Sequence, residues 1–141
     1  MLNKNFGIEI EFTGITRNEA AKVAAEYLNG TVVSTGDYYD TKKITTADGR
    51  VWKIMSDGSI SCQKRQGRQK VAATREYSVE LVSPILTYQE DIETLQELVR
   101  RLRKAGAFTN SSCGIHIHLD GADHTVRSIR NFVNIIASKN D

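Results

Sequence analysis

Proline and cysteine are scarce in this chain of 141 residues. A single proline, Pro84, and the lack of low-complexity stretches leave no obvious linker, so we expect residues 1–141 to form one domain. The two cysteines, Cys62 and Cys113, cannot build a disulfide framework, and they lack the close spacing of a zinc knuckle. We therefore expect two buried, reduced thiols in a cytoplasmic protein.

Long apolar runs and an excess of either charge are missing as well. No segment approaches the roughly 20 apolar residues that a membrane span needs, and Met1–Asn5 lacks the apolar stretch of a signal peptide. The formal net charge of +2 is too small to indicate binding to nucleic acid or to an anionic membrane. The sequence also contains no P-loop, dinucleotide fingerprint or G-x-S-x-G elbow. We expect a cytoplasmic protein with neither nucleic-acid nor membrane partners.

The strand predicted at Gly7–Phe12 places two acidic side chains on one face. Successive side chains of an extended strand point to opposite faces, so Glu9 and Glu11 share a face and the apolar residues between and beside them share the other. Two carboxylates about 6.5 Å apart along a strand can each ligate one ion of a pair about 3.5–4 Å apart. The alternative is a half-exposed strand whose glutamates only face water.

A second strand, predicted at Gly114–Asp120, repeats this alternation with histidines. His116 and His118 share a face, and Asp120 continues the row. Neutral imidazoles on one strand face are a common metal-binding arrangement, although two ordinary surface histidines would give the same pattern. A sheet that contains both strands would present carboxylates and imidazoles together, which are the side chains of a metal site.

The remaining periodicity predicts an α+β fold with a largely antiparallel sheet and helices on one face. Capping boxes at Thr16–Glu19 and Thr87–Glu90 each precede an amphipathic stretch, and a third helix is predicted from Asp123 or Thr125. Between the first two helices, alternation and turn residues predict strands at Val32–Ser34, Tyr38–Thr46, Val51–Met55, Ile60–Cys62 and Glu76–Val82. We expect the face of the sheet that the helices do not cover to carry the functional residues.

Three further features lie between the two strands with ligand-type residues. Glu80 alternates with apolar neighbours and would add a third carboxylate if its strand joins the same sheet. Asp57–Ser59 is typical of a hairpin turn, or of an aspartate that holds a substrate amine or hydroxyl. The basic run Lys64–Lys70, with Arg75 beyond it, is either a solvated loop or a loop that closes over phosphate. It lacks the aromatic residues expected for binding single-stranded nucleic acid.

Several carboxylates gathered on one face favour a divalent cation. Like charges at close range cannot all stay ionised, and a cation removes that penalty. Oxygen-rich ligand sets suit Mg²⁺ or Mn²⁺, whereas two histidines alone would suit Zn²⁺ or iron. Because carboxylates outnumber imidazoles here, we expect Mg²⁺ or Mn²⁺, the usual partners of nucleotide phosphates.

Four motifs in this order resemble those of the amidoligase family, which is related to glutamate–cysteine ligase and glutamine synthetase. The motifs are Gly7–Phe12, Asp57–Ile60, Glu80–Pro84 and Gly114–His118, with a predicted helix between the last two. Each motif is weak alone, and their order over residues 6–120 supports the resemblance. It implies a glutamine synthetase-like or glutamate–cysteine ligase-like antiparallel sheet whose concave face holds metals and ATP.

The resemblance also implies an ATP-dependent carboxylate–amine ligase with small-molecule or peptide substrates. Phosphoryl transfer from ATP would activate a carboxylate as an acyl phosphate, which an amine would then attack. By matching position, the metal ligands would be Glu9, Glu11, Glu80 and His116. His118 would bind metal, phosphate or substrate, and Asp57 would orient the amine. Lys70 or Arg75 would approach the phosphates.

Members of this family run on beyond the histidine strand, whereas this sequence ends in the first helix predicted after it. We expect a natural short form, a split gene product or a truncated chain, with a second copy or a partner chain completing the pocket. Two rival hypotheses remain. One is a non-catalytic remnant or binding module. The other is a metal-dependent oxygenase, because His116 with His118, and His118 with Asp120, also fit iron ligand patterns. The three predicted helices and the carboxylate pair argue against an all-β cupin.

Overall fold

An antiparallel sheet with two helices packed against one face forms the architecture of the computed structural model, which describes residues 5–119. In chain order the elements are β1 (Asn5–Phe12), α1 (Arg17–Leu28), β2 (Thr31–Ser34), β3 (Lys42–Thr45), β4 (Val51–Met55), β5 (Gln63–Gln66), β6 (Gln69–Ala72), a 3-10 turn (Arg75–Tyr77), β7 (Val79–Val82), β8 (Leu86–Thr87), α2 (Tyr88–Lys104) and β9 (Ile115–Leu119). The predicted α+β class with a largely antiparallel sheet is confirmed. The third predicted helix and Asp120 lie outside the described residues.

The main sheet is built around β1, the first strand of the chain. Its order runs β2-β3-β4-β7-β1, and β9 pairs with β1 as well. In these antiparallel ladders, Glu11 pairs with Glu80 of β7, and Glu9 pairs with His116 of β9. Directly paired residues lie on the same face of a sheet. The register therefore brings three segments that are far apart in sequence onto one surface.

A one-residue irregularity separates β7 from β8 along the same edge of β1. Val82 pairs with Glu9 and Leu86 pairs with Phe6, so three residues on one strand oppose two on the other. Ser83 bridges the gap, since its N–H donates to the Ile8 carbonyl at 2.9 Å and its hydroxyl accepts from the Ile8 N–H at 2.9 Å. Pro84, which has no N–H to give to a ladder, follows at this break, where strands tolerate it.

The hydrophobic core lies between the sheet and the two helices. Every second residue of β1 and β4 is buried on this side, and α2 contributes one apolar stripe. The members of the core drawn from these elements are Phe6, Ile8, Ile10, Phe12, Trp52, Ile54, Ile92, Leu95, Leu98 and Leu102. Within residues 5–119, neither helix combines the length and apolar character needed to cross a membrane. The opposite face of the sheet is left uncovered by α1 and α2.

The helix starts show one confirmed and one wrong prediction. At α1 the capping box is present, because the Thr16 hydroxyl accepts from the Glu19 N–H and the Glu19 carboxylate accepts from the Thr16 N–H. At α2 the predicted box does not form. The carboxylate of Asp91, not that of Glu90, accepts from the Thr87 N–H at 2.9 Å, and the buried Thr87 hydroxyl has no partner among the described residues. Asp91 also binds Arg50, which fixes it over the helix start.

Four predictions between the helices also need correction. Of the predicted strand Tyr38–Thr46 only Lys42–Thr45 is a strand, and the predicted strand Glu76–Val82 begins at Val79, after the 3-10 turn. The Lys64–Lys70 run, expected to be a loop, lies mostly in the β5–β6 hairpin, which turns at Gly67 with a positive φ of 65°. Ile60–Cys62, expected to be a strand, is irregular, although Ile60 is buried. Asn110 and Ser112 bind the Ser61 carbonyl and N–H, so side chains provide the hydrogen bonds that a strand neighbour would have supplied.

We expect Leu98→Ala to destabilise the protein by about 2–5 kcal/mol, because the Leu98 side chain is fully buried between α2 and the sheet and its removal leaves a cavity. Urea unfolding followed by circular dichroism measures this change. Glu93→Ala, at an exposed position of the same helix, is the control and should shift the free energy of unfolding by less than about 0.5 kcal/mol. Equal effects of the two substitutions would contradict this account of the core.

Candidate functional site

The uncovered face of the sheet carries most of the residues predicted to have chemical roles. Glu9 and Glu11 project from β1, Glu80 from β7, and His116 and His118 from β9, all away from the helices. We call this surface the open face. Its position follows from strand alternation, since the apolar residues that alternate with the carboxylates on β1 and β7 are buried in the core.

Three carboxylates meet at one end of the open face. The side chains of Glu11, Asp57 and Glu80 each offer an oxygen, and these oxygens all lie within 4.8 Å of one another. Glu11 is only 6% exposed, and Asp57 and Glu80 are half-buried. We call this group the carboxylate cluster. Such burial is unusual for acidic side chains, which are seldom buried without a charged partner.

Asp57 reaches the cluster from the turn that follows β4. Its carboxylate Oδ1 accepts from the Ser59 N–H at 2.8 Å and from the Ser59 hydroxyl at 2.7 Å. The main chain of the turn is fixed by the fully buried Ser78, whose hydroxyl accepts from the Asp57 N–H at 2.9 Å and donates to the Asp57 carbonyl at 2.7 Å. Both interpretations of the Asp57–Ser59 sequence, a turn and a functional aspartate, are therefore compatible with the structure.

Glu11 is tied to the segment that leads into β9. Its Oε1 accepts from the Gly114 N–H at 2.8 Å, and its own N–H donates to the Gly114 carbonyl at 3.0 Å. A Cβ at position 114 would lie 3.5 Å from Glu11 Oε1, an ordinary contact. The space at this position would therefore accept a side chain, and the contribution of Gly114 is its backbone hydrogen bond to the carboxylate.

The three carboxyl groups of the cluster differ in pKa. Burial, followed by the hydrogen bond with Asp57, raises the pKa of Glu11, and that same hydrogen bond, with those from Ser59, lowers the pKa of Asp57. Burial and repulsion by Glu9, Asp57 and Glu11 raise the pKa of Glu80 from 4.5 to about 7. Asp57 is therefore the most readily ionised member, and Glu80 retains its proton to near neutral pH.

The cluster has the composition and spacing of a site for a hard divalent cation. Such cations bind oxygen ligands at about 2.0–2.6 Å, so ligand oxygens on opposite sides are about 4–5 Å apart. The three carboxylate oxygens, which all lie within 4.8 Å of one another, agree with this spacing. Burial and repulsion by neighbouring carboxylates raise the pKa of Glu80, and a cation would remove the repulsion. The residues present therefore fit Mg²⁺ or Mn²⁺.

Glu9 lies beside the cluster, between the two histidines of β9. Its Oε2 is 3.2 Å from His118 Nε2, and its Oε1 is 3.9 Å from His116 Nδ1. Both imidazoles are more than half exposed, whereas Glu9 is about one-third exposed. The structure thus divides the predicted ligands into two neighbouring groups, Glu11 with Glu80, and Glu9 with the histidines.

The two predicted phosphate-binding residues lie away from these groups or are engaged elsewhere. Lys70 Nζ lies 4.4 Å from the centre of the Phe108 ring, opposite Arg65 on the neighbouring strand. Arg75 donates to the carbonyls of Ile60 and Asp57 at 2.7 and 3.1 Å and thereby braces the Asp57 turn. The sequence carries no signal for this structural role of Arg75, because both partners are backbone atoms.

Comparison with known proteins identifies one family. A family model described as "Putative amidoligase enzyme" matches residues 2–141, which is nearly the whole chain. No curated protein matches the chain. The four motifs that resemble this family thus lie inside a match that extends well beyond them.

In the absence of divalent cations, we expect stability to fall as the pH rises from about 4.5 to about 7. In this range folded Glu80 keeps a proton that it loses on unfolding, so the folded state binds more protons and raising the pH destabilises it. Thermal unfolding in EDTA across this range measures the slope. Glu80→Gln should flatten it, whereas Glu26→Gln, at an exposed position of α1, should leave it unchanged. Equal slopes for wild type and Glu80→Gln would contradict the assignment.

Proposed function

Because the chain belongs to the amidoligase family, we propose that it acts as an ATP- and Mg²⁺-dependent carboxylate–amine ligase. The observation that supports this most directly is the carboxylate cluster, with Glu9 and the histidines beside it on one open sheet face. The substrates would be a small-molecule or peptide carboxylate and an amine. We further propose that a second copy or a partner chain completes the pocket.

The reaction would have two steps. An oxygen of the substrate carboxylate attacks the terminal phosphorus of ATP, giving an acyl phosphate and ADP. The amine nitrogen then attacks the acyl carbon, phosphate leaves, and the nitrogen loses a proton to give the amide. Because phosphoryl transfer demands little covalent chemistry from a protein, positioning and charge stabilisation account for most of the catalysis.

Mg²⁺ or Mn²⁺ would be held by Glu11, Glu80, Glu9 and His116, and when bound it neutralises phosphate charge. Glu80 would give up its proton on becoming a ligand: burial and repulsion by neighbouring carboxylates raise its pKa to about 7, and a cation would offset the repulsion. His118, which contacts Glu9, would either orient that carboxylate or bind phosphate.

Asp57 is suited to orient the amine. The hydrogen bonds that lower its pKa keep it ionised, so it can accept a hydrogen bond from an ammonium group and hold the nitrogen near the cluster. The bracing of its turn by Ser78 and Arg75 keeps it in place. Such fixed placement is what a positioning role needs.

The histidine pair supports a second candidate, a metal-dependent oxygenase. Two imidazoles and the Glu9 carboxylate form a set of two histidines and one carboxylate, which non-haem iron enzymes also use. Metal analysis of protein purified without chelator separates the candidates. Stoichiometric iron would favour the oxygenase, and Mg²⁺ or Mn²⁺ dependence of nucleotide binding would favour the ligase.

Calorimetric titration with a non-hydrolysable ATP analogue tests the ligase proposal. We expect binding in the presence of Mg²⁺, none in EDTA, and at least a tenfold loss of affinity in Glu11→Gln. At pH 6.5 binding should also release a proton from Glu80, visible as a dependence of the heat on the buffer.

Glu26→Gln is the matched control for this titration and should bind the analogue as wild type does. No heat with wild type, or equal affinities of wild type and Glu11→Gln, would contradict the proposal. Nucleotide binding with no ADP production, tested with mixed carboxylates and amines, would instead support the non-catalytic binding module.

Asp57→Asn should preserve the fold and weaken Mg²⁺ binding at least tenfold. The amide oxygen can still accept both hydrogen bonds from Ser59, so the turn is kept, but the carboxylate charge is lost from the cluster. Thermal unfolding in EDTA and Mg²⁺ titration report these two effects separately. Ser59→Ala retains the charge and is the control. Unchanged Mg²⁺ affinity in Asp57→Asn would limit this residue to the turn and the amine.

A further inference from the structure

A row of paired residues crosses the open face from β2 to β9. Each ladder pairs one member of the row with the next, and the members are Val33, Lys43, Lys53, Val82, Glu9 and His116. Two lysines therefore lie directly opposite each other on the face that carries the carboxylate cluster. Because neighbouring strands are about 4.8 Å apart, the Lys53 and Glu9 backbones are separated by about 10 Å.

This lysine pair is not explained by packing or by neutralisation. Like charges directly opposite on neighbouring antiparallel strands are destabilising. Both side chains are exposed, and within residues 5–119 neither has an ion-pair partner. By contrast, the adjacent Lys42 points to the other face and binds Asp40 at 3.0 Å. The lysines thus leave the nearby carboxylates uncompensated and remain available to a ligand.

The open face is consequently divided by charge. The carboxylates lie on β1, β7 and the Asp57 turn, and the ammonium groups lie on β3 and β4, with Val82 between Lys53 and Glu9 in the row. A ligand that spans both regions must present an oxyanion to the lysines. Its other end must reach the carboxylates through cations, since bare oxyanions would be repelled there.

We propose that Lys43 and Lys53 form an anion subsite of the open face that binds a phosphate or carboxylate group of a ligand held at the carboxylate cluster. This inference rests on the proposed ligase function. It assigns to these residues the contact that sequence reasoning gave to Lys70 and Arg75. The oxyanion is either a nucleotide phosphate or the carboxylate of the acceptor substrate, and both have the same chemistry toward an ammonium group.

Two probes distinguish these sources, pyrophosphate for the nucleotide and glutarate for a carboxylate substrate. Each is titrated calorimetrically in EDTA into the whole chain, into Lys43→Met, into Lys53→Met and into the double variant. We expect at least a tenfold loss of affinity for one probe in each single variant, and a smaller dependence of the affinity on salt. Lys53→Arg should retain most of the affinity. Lys22→Met, at an exposed position of α1, is the control.

Loss of pyrophosphate affinity would assign the subsite to phosphate, and loss of glutarate affinity would assign it to a carboxylate. Wild-type affinity for both probes in the double variant, or no binding of either probe to wild type, would overturn the proposal. Mg²⁺ binding without nucleotide should be unaffected in the lysine variants. If pyrophosphate binds in EDTA but the Mg²⁺–analogue complex does not bind, the ligase proposal fails and the subsite stands. The reverse result rejects the subsite alone.

Discussion

The direct pairing of Glu11 with Glu80 across the β1–β7 ladder is the constraint on which the open face depends. With Asp57 added, three carboxylates share a small, partly buried volume, and burial together with repulsion by Glu9, Asp57 and Glu11 raises the pKa of Glu80 to about 7. The sheet tolerates this arrangement because its opposite side is a continuous apolar core that fixes the register. The stability of the core is thus used to hold together charges that would separate in a looser fold.

The surrounding backbone is arranged to limit movement at this point. Ser78, just before β7, hydrogen-bonds the main chain of Asp57, and Arg75 donates to the Asp57 carbonyl. The Gly114 N–H donates to the Glu11 carboxylate. These contacts come from two segments, the 3-10 turn before β7 and the segment that leads into β9. These hydrogen bonds fix the positions of Asp57 and Glu11 before any ligand binds. Electrostatic preorganisation requires charged groups held in place in this way.

Sequence alone was sufficient where the signal was strand alternation. The common face of Glu9 and Glu11, that of His116 and His118, and the mainly antiparallel sheet all follow from a period of two. Alternation also placed Glu80, but it could not place Asp57 among the carboxylates, since that depends on the register between β4 and β7. The capping box predicted at Thr87–Glu90 was wrong because Arg50, from a distant turn, positions Asp91 over the start of α2. Tertiary contacts of this kind leave no local trace in the sequence.

The pairing of β1 with β7 on one side and β9 on the other has a consequence for biosynthesis. Within the described residues, β1 precedes its partners β7 and β9 by some 70 and 105 residues, so both of its edges stay unpaired until those strands have been synthesised. Unpaired edges of an apolar strand invite pairing with other chains, and distant contacts slow folding. The charged residues of β1 then serve the nascent chain too, because Glu9 and Glu11 discourage association of β1 strands from neighbouring copies before the sheet is complete.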